Sequence, residues 1–327
     1  MNDAQVDIVI PCHEGDAFAE EALCSLVAQT HRSWKAWIVD DGSSERSLGR
    51  LREIAANLAD PRINLVTQRQ QGASSARNQG MMLGRAEWVA FLDIDDIWAP
   101  DKLERQLALA GSRAGIVAVY CDYSILSEGS VSPGAVPPNL QGLIAPALVR
   151  QGNRVSGSAS AVLVRRSALE TAGPFDVSLR LGEDWDLWIR LATLGEFTFV
   201  PAPLVQIRQR AGSVQDAHRL GATYVEKTRD LLAQVQIVRR HAPTILPLGL
   251  HDAEVIERLR RDARRLAKRR LTWGEVGRLR ETLRAGGEPG NSVAVALSAW
   301  KLLPCLPWIF MRTLTSACAP AREVDNP

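Results

Sequence analysis

No two cysteines in this chain stand in a CxxC pair. The five present, Cys12, Cys24, Cys121, Cys305 and Cys318, are scattered and odd in number. That argues against a disulfide framework and a zinc knuckle, and it fits reduced, mostly buried thiols of a cytoplasmic protein. A clean membrane span is missing as well. The notably apolar stretch "SVAVALSAWKLLPCLPWIFMRTL" (Ser292–Leu314) is interrupted by Lys301, Pro304, Pro307 and Arg312. A transmembrane helix wants about 20 uninterrupted apolar residues. The stretch reads instead as a helix lying in a membrane interface or one docked on the body. The start, "MNDAQVDIVIPCHEGD", lacks the basic leader and long apolar core of a signal peptide. There is no internal repeat and no low-complexity tract. A net charge of +2 points to no partner by itself.

What is present is a chain of 327 residues, 46% apolar and 23% charged. It is long enough for one large domain and an appendage. Its charge is unevenly spread. From Leu220 to Pro327 there are eighteen Lys/Arg against eleven Asp/Glu, so the first 219 residues are net acidic. The division expected is a domain over 1–219 and a basic, amphipathic helical extension over 220–327. Within the extension, Glu254–Arg270 places Val255, Ile256, Leu259, Ala263, Leu266 and Ala267 on one stripe. That is an amphipathic helix, suited to packing on its own domain or to a membrane surface.

In the first part, strand and helix patterns alternate. "VDIVI", "KAWIVD", "INLVTQ" and "EWVAFLDIDD" read as strands. Helical periods follow each of them, the last with Pro100 near its start and Gly111 just past its end. Such alternation predicts a Rossmann-like, mostly parallel sheet with helices on both faces. Ligands of these sheets bind beyond the carboxyl ends of the strands. There the sequence puts four polar clusters: Pro11–Glu14, Asp40–Ser43, Gln68–Gly72 and Asp93–Asp96. After Val119 the pattern changes. "SEGSVSPGAVPPN" reads as an exposed loop, "SASAVLVRR" as a strand, "GEDWDLWIRLATLG" as a helix and "FTFVPAPLVQIRQR" as extended chain.

The cluster "FLDIDDIW" crowds Asp93, Asp95 and Asp96 behind a buried run. Residues i and i+2 of an extended chain face the same way. Asp93 and Asp95 would repel unless a cation sat beside them. Mg²⁺ or Mn²⁺ bridging to a diphosphate is the natural reading; helix capping before "PDKL" is the plain one, and Asp96 suits it. "VDDGSS" is a turn whose carboxylate can also accept from a base N–H or a ribose hydroxyl. "GASSARNQG" offers close backbone approach at Gly72 and a cation at Arg77. In "LGEDWDLWIRLATLG", Glu183 and Asp184 are adjacent and point apart. Asp186 and Arg190, at i and i+4, can simply pair.

Taken together these pieces resemble the family 2 glycosyltransferases of GT-A fold. The resemblance runs from Val6 to Ser213 through "VDIVIPCHEGD", "WIVDDGSS", "GASSARNQGM", "FLDIDDIWAPDKLERQ", "SGSASAVLVRRSALETAGPFD" and "GEDWDLWIRLATLG". It implies a nucleotide-diphosphate sugar, often a UDP-sugar, and a divalent metal, Mn²⁺ or Mg²⁺. It implies that Pro11, His13 and Glu14 line the nucleoside pocket and that Asp40 addresses the base, with Asp41 nearby. Gly72 and Arg77 would flank the nucleotide. Asp93 would contact the ribose or the metal, and Asp95 would ligate the metal. Asp184 would be the general base, supported by Glu183. "IRQRAGS" departs from the family's pattern by placing Arg210 where a histidine is common. Arginine can hold a diphosphate but cannot ligate a metal.

The Gln-x-x-Arg-Trp motif of processive synthases is absent, so a single addition is expected. The acceptor expected is a sugar or lipid-linked glycan, with the extension on the inner face of a membrane. The alternative is a catalytically silent nucleotide-sugar-binding or scaffolding protein on the same fold. A nucleotidyltransferase would need a Gly-rich loop with Lys and Arg after the first strand, and "PCHEGDAF" has none. Nucleic-acid binding is not expected, since the Arg-rich tail lacks interleaved aromatics.

Overall fold

The structure is a computed structural model. It describes residues 5–134, 140–155, 157–179 and 181–209, together with Ile237, Arg240, His241, Thr244 and Ile245. The first half alternates as expected: β1 (Val6–Cys12), α1 (Asp16–Val27), β2 (Trp34–Asp41), α2 (Glu45–Leu58), β3 (Ile63–Gln68), α3 (Ala73–Leu83) and β4 (Trp88–Phe91). β1 is buried throughout and pairs in parallel with both β2 and β4, which is why its sequence is nearly all apolar. β3 pairs with β2 and forms the edge. Alternate residues of β1 serve two cores. Ile8 and Ile10 pack with α1, α2 and the later helix α4 (Lys102–Ala110); Val9 packs with the helices of the second half.

The second half is built differently. It comprises β5 (Ile97–Trp98), β6 (Ile116–Ser127), β7 (Ser130–Pro133), α5 (Ala145–Gln151), a 3₁₀ turn (Ala159–Ala161), β8 (Val162–Arg165), α6 (Arg166–Ala172), α7 (Glu183–Ala192) and β9 (Glu196–Arg208). The sheet order is β3-β2-β1-β4-β8-β6-β9-β5, with β7 attached to β6. β8 runs antiparallel between β4 and β6, and β6 and β9 run parallel. The overall class is therefore the α/β, GT-A arrangement expected. The stretch read as a loop after Ser127 instead begins as a β6–β7 hairpin, with Ser127 opposite Ser130. Glu128 and Gly129 form its two-residue turn at φ +48° and +78°, the left-handed geometry such tight turns require.

Five described residues lie beyond the expected boundary at residue 219, and the two apolar ones are buried. Ile237 and Ile245 are buried in the same core as Trp185, Trp188 and Phe175. Glu254–Arg270 and Ser292–Leu314 lie outside the described residues. Among the described residues no helix is long and apolar enough to cross a membrane.

Candidate active site

The loops after β1, β2 and β3 are tied into one rim by side chains that accept backbone N–H groups. Asp41, at the end of β2, accepts from Gln71 N and Gly72 N at 2.7 Å each and from Gln68 Nε2 at 2.7 Å. It is a brace for the β3–α3 loop. Gly72 caps α3 at φ +93°, a backbone that L side chains rarely adopt. Glu14 accepts from the Ser44 backbone N–H and from Ser44 Oγ, and its own N–H donates to Ser43 Oγ at 2.9 Å. The Ser44 backbone N–H, first among its partners, holds the Glu14 carboxyl below its ordinary value. His13 Nδ1 lies 3.0 Å from the Asp41 carbonyl, so it carries the proton, and Nε2 accepts from Gln70 Nε2 at 3.0 Å. Pro11 is a buried residue of β1 opposite Val39.

Asp40 is the exception on this rim. It is 1% exposed and accepts from Ser43 N at 3.3 Å through Oδ2, while its Oδ1 is buried without a hydrogen-bond partner. A buried unpaired carboxylate oxygen is costly unless something donates to it.

Asp93–Asp96 is not the extended segment expected. β4 stops at Phe91, and the chain turns, with Asp96 N donating to Asp93 O at 2.9 Å. The i, i+2 alignment of Asp93 and Asp95 on one strand therefore does not apply. The turn forms because Asp96 is drawn inward. It is 3% exposed, and its carboxylate accepts from Ser158 Oγ (3.1 Å), Ser160 Oγ (2.6 Å) and Arg208 N (3.2 Å). Burial, and then the neighbouring Asp93 charge, push its pKa well above the ordinary value. Asp93 N is held by Ser160 Oγ at 2.9 Å, Trp98 Nε1 donates to Ser160 O at 3.0 Å, and Arg208 Nε reaches the Asp95 carbonyl at 3.1 Å. The β1 loop touches this turn, since a Cβ on Gly15 would come within 2.5 Å of Ile94.

The third part is the head of α7. Glu183 and Asp184 form its first turn behind Gly182, whose φ is +77°. Asp184 is half-buried; its Oδ2 accepts from Asn153 Nδ2 at 2.9 Å and its Oδ1 from Trp185 N at 2.7 Å. Burial, then the adjacent Glu183 charge, raise its pKa to about 6. Arg77 joins this head to the β4 end. Its guanidinium donates to Asp93 Oδ1 at 2.7 Å and Glu183 Oε1 at 3.1 Å, 5.5 Å above the Phe175 ring. Burial alone would pull the pKa of Arg77 down, but Asp93 and Glu183 hold it raised. Two of its nitrogens are thus engaged by protein carboxylates, where the sequence reading had Arg77 flanking the nucleotide.

The Asp186–Arg190 pair expected from spacing is present at 2.9 Å, and Trp185 and Trp188 are core residues. Sequence reasoning did not single out Ser158, Ser160, Asn153 or Arg208. Their only signal was the small polar run "SGSASA" and the arginine two residues before Arg210. Arg210 itself lies outside the described residues.

Among the described residues no group of three His, Cys, Asp or Glu side chains is placed to hold a metal alone. The donor set nonetheless fits a hard divalent cation of the kind that keeps waters and substrate phosphates and takes one or two carboxylates. Three carboxylates sit in four residues of one turn; Asp93 Oδ1 accepts from Arg77, and its Oδ2 lies 3.0 Å from Ser158 Oγ, the hydroxyl that also lies 3.1 Å from Asp96. Asp95 and Asp93 are the candidates for contact with such an ion.

The sequence profile described as Glycosyl transferase family 2 matches residues 7–173. The chain belongs to that family and carries a glycosyltransferase domain of GT-A fold. It is 29% identical over 192 residues to the UDP-Glc:alpha-D-GlcNAc-diphosphoundecaprenol beta-1,3-glucosyltransferase WfgD of Escherichia coli, covering 58% of this chain and 71% of that one. An uncharacterized glycosyltransferase of Rickettsia conorii is 26% identical over 213 residues, covering 65% of this chain but 34% of the relative, so the match spans about a third of that protein's length. The mannosyltransferase PcManGT of Pyrobaculum calidifontis, solved with GDP-Man and Mn²⁺, superposes with a TM-score of 0.53 at 18% identity, over 96% of this chain and 84% of that one. That likeness shows the fold.

Proposed function

We propose that the protein transfers a single sugar from a nucleotide-diphosphate sugar, a UDP-sugar, to an acceptor hydroxyl with inversion. The setting proposed is surface polysaccharide, lipopolysaccharide or glycoconjugate assembly. The observation that carries this is the Arg77 bridge. One guanidinium joins Asp93, on the diphosphate side, to Glu183, whose neighbour Asp184 is a half-buried carboxylate raised to about 6. A donor-side acid turn and a tuned base thereby share one rim.

In this reading the unpaired Asp40 Oδ1 accepts an N–H of the base, with Pro11, His13 and Glu14 shaping that end of the pocket. Gly72 lets the nucleotide approach the backbone. Asp184, ionised near neutral pH, takes the proton of the acceptor hydroxyl as its oxygen bonds to the anomeric carbon. The bond from that carbon to the diphosphate oxygen breaks, and the nucleoside diphosphate leaves. Asp95, with Asp93, would hold the divalent ion, which when bound withdraws charge from the leaving diphosphate. Arg210 is assigned to the same diphosphate. Glu183 keeps Arg77 in place and borders the acceptor.

The name of the E. coli relative includes a lipid-linked acceptor, which supports a glycan or glycolipid acceptor here. The basic extension supports peripheral attachment at the inner face of a membrane. A truncation testing attachment has to fall after Ile245, because Ile237 and Ile245 belong to the core. The truncated chain is expected to lose co-sedimentation with anionic vesicles.

The test of the donor site is calorimetric titration of UDP and GDP, with and without Mn²⁺, on the wild type and Asp95→Ala. Metal-dependent UDP binding that the variant loses is the expected result. Binding of neither nucleotide under any condition overturns the donor site. Binding without turnover of any UDP-sugar and acceptor would move the silent nucleotide-sugar binder to the front.

A further inference from the structure

The segment carrying Ile237, Arg240, His241 and Ile245 touches the molecule at a place that matters for the proposed chemistry. His241 Nε2 donates to Asp186 Oδ1 at 2.8 Å, and Arg240 reaches both Asp186 Oδ1 at 3.1 Å and Asp176 Oδ2 at 2.6 Å. Asp186 is fully buried and stands two residues after Asp184, in the first turn of α7. Ile237 covers Gly182, the residue capping that helix; a Cβ on Gly182 would come within 2.8 Å of Ile237 Cδ1. Asp176 lies in the loop that leads from α6 to α7. The same loop is gripped at its start by Arg190, which donates to Ala172 O and Gly173 O at 2.7 and 2.9 Å. Its Phe175 exchanges two backbone hydrogen bonds with the Asn78 side chain, at 2.8 and 2.9 Å, and lies under Arg77.

These contacts form a chain from the extension to the reacting groups. His241 and Arg240 fix Asp186 and Asp176, which fix the head of α7 and its lead-in loop. That head carries Glu183 and Asp184, and Glu183 holds Arg77 against Asp93. We propose that Arg240 and His241 are positioning residues for the base Asp184, so that these two residues are an integral part of the acceptor side of the site. This rests on the reading of Asp184 given above. The nucleotide side has its own braces, Asp41 and Glu14, and makes no contact with this latch among the described residues.

The charges facing His241 explain why a hydrogen-bond donor belongs there. Asp186 has Arg190 on one oxygen and His241 with Arg240 on the other. Removing His241 leaves a buried oxygen short of a donor and frees the first turn of α7 to shift. A displacement of about 1 Å at a catalytic group can cost on the order of 100-fold in rate.

The test uses the full-length chain and the variants His241→Ala and His241→Asn, which keeps an N–H donor. Three quantities are compared: amide hydrogen exchange over residues 173–192, Mn²⁺-dependent affinity for UDP, and release of UDP from UDP-glucose. His241→Ala is expected to lose at least tenfold of the exchange protection of the 173–187 stretch. Its UDP affinity is expected to stay within threefold of the wild type, and UDP release to fall by roughly 10- to 100-fold. His241→Asn should recover most of both losses. Unchanged protection of 173–187 in His241→Ala overturns the inference whatever the turnover. Protection lost equally in β1–β4 overturns it too, because His241 would then support the fold and not the site. A wild type that hydrolyses no UDP-sugar while its 173–187 protection depends on His241 would sink the assignment of Asp184 as the base and leave the latch standing.

Discussion

The loops proposed for the nucleoside and the α7 end proposed for the acceptor hold their carboxylates by different means. On the nucleotide side, Asp41, Glu14 and Asp40 accept from backbone N–H groups of the loops around them. On the side proposed for the acceptor, Glu183, Asp176 and Asp186 are met by the guanidinium groups of Arg77, Arg240 and Arg190, and His241 donates to Asp186 beside them. Neutral donors fix the shape of a loop without adding charge, which suits a rim that must receive an anionic diphosphate. Cations fix a position and lower the pKa of the carboxylate they meet, as at Asp186. Two carboxylates two residues apart show the contrast. Asp184, half-buried beside Glu183, is raised to about 6. Asp186 is pushed up by its burial but outweighed by His241 and Arg190, and it settles at about 2.

The strongest way to break this division is Asp184→Asn. A general base contributes roughly 10² to 10⁴ in rate. The variant is expected to lose about 10³ of its turnover with its UDP affinity intact. Retention of a tenth of the wild-type rate, measured with any UDP-sugar and acceptor the wild type uses, would place the base elsewhere.

Next in size is Asp186→Ala. Taking one partner from a buried charge cluster typically costs about 3–5 kcal/mol. Arg190 and Arg240 keep some solvent access, with side chains 20% and 39% exposed. The lower end, about 3 kcal/mol in urea unfolding, is therefore expected. Its pH dependence has a definite sign. Asp186 ionises in the fold below its ordinary value of 3.8. The stability it contributes is present above that pH and is lost as pH falls toward about 2. Asp184 acts the other way: its raised pKa makes the fold lose stability as pH climbs from 3.8 through about 6.

Asp41→Ala probes the neutral side. It strands the N–H groups of Gln71 and Gly72. Each buried donor left unmade costs about 1–3 kcal/mol, and water reaches this rim, so a total of about 2 kcal/mol is expected. UDP affinity should fall about tenfold, since the β3–α3 loop loses its shape. If Asp41→Ala spares UDP binding and Asp186→Ala abolishes it, the division between the two sides is wrong.

How much of this was legible in the sequence follows the same line between local and distant. β3 was read residue for residue, and Gly111 marks the end of α4, because apolar period and Gly/Pro punctuation are local signals. The four polar clusters converge as parallel topology requires. The Asp93–Asp96 turn was misread as strand because its cause lies some 60 residues away, in Ser158 and Ser160. Serines carry no pattern that announces such a partner. The antiparallel insertion of β8 is equally a matter of pairing across the chain. Lys102 went unremarked in "PDKLERQ", yet it is fully buried on the Trp98 ring and donates to Gln106 Oε1 at 2.8 Å. Burial holds its pKa down at about 8. The burial of Ile237 and Ile245 in the core was not legible, because the charge shift after residue 219 is the stronger local signal.

The smallest effect is also the sharpest test of the acceptor side. If Asp184 is the base, as proposed, transfer needs its ionised form and turnover should rise with pH through a limb near 6. Asn153 donates to Asp184 at 2.9 Å and favours the ionised form, whereas the Glu183 charge opposes it. Asn153→Ala should therefore move the limb up, and Glu183→Gln should move it down. One neutral hydrogen bond of about 0.7 kcal/mol corresponds to about half a pH unit. Glu183→Gln keeps an acceptor for Arg77, so its shift should come from charge and not from a collapsed bridge. Opposite shifts in the two variants identify Asp184 as the group that titrates. Shifts in the same direction would mean that the limb belongs to another group, and the charge-held side would lose its assigned role as the side that tunes the base.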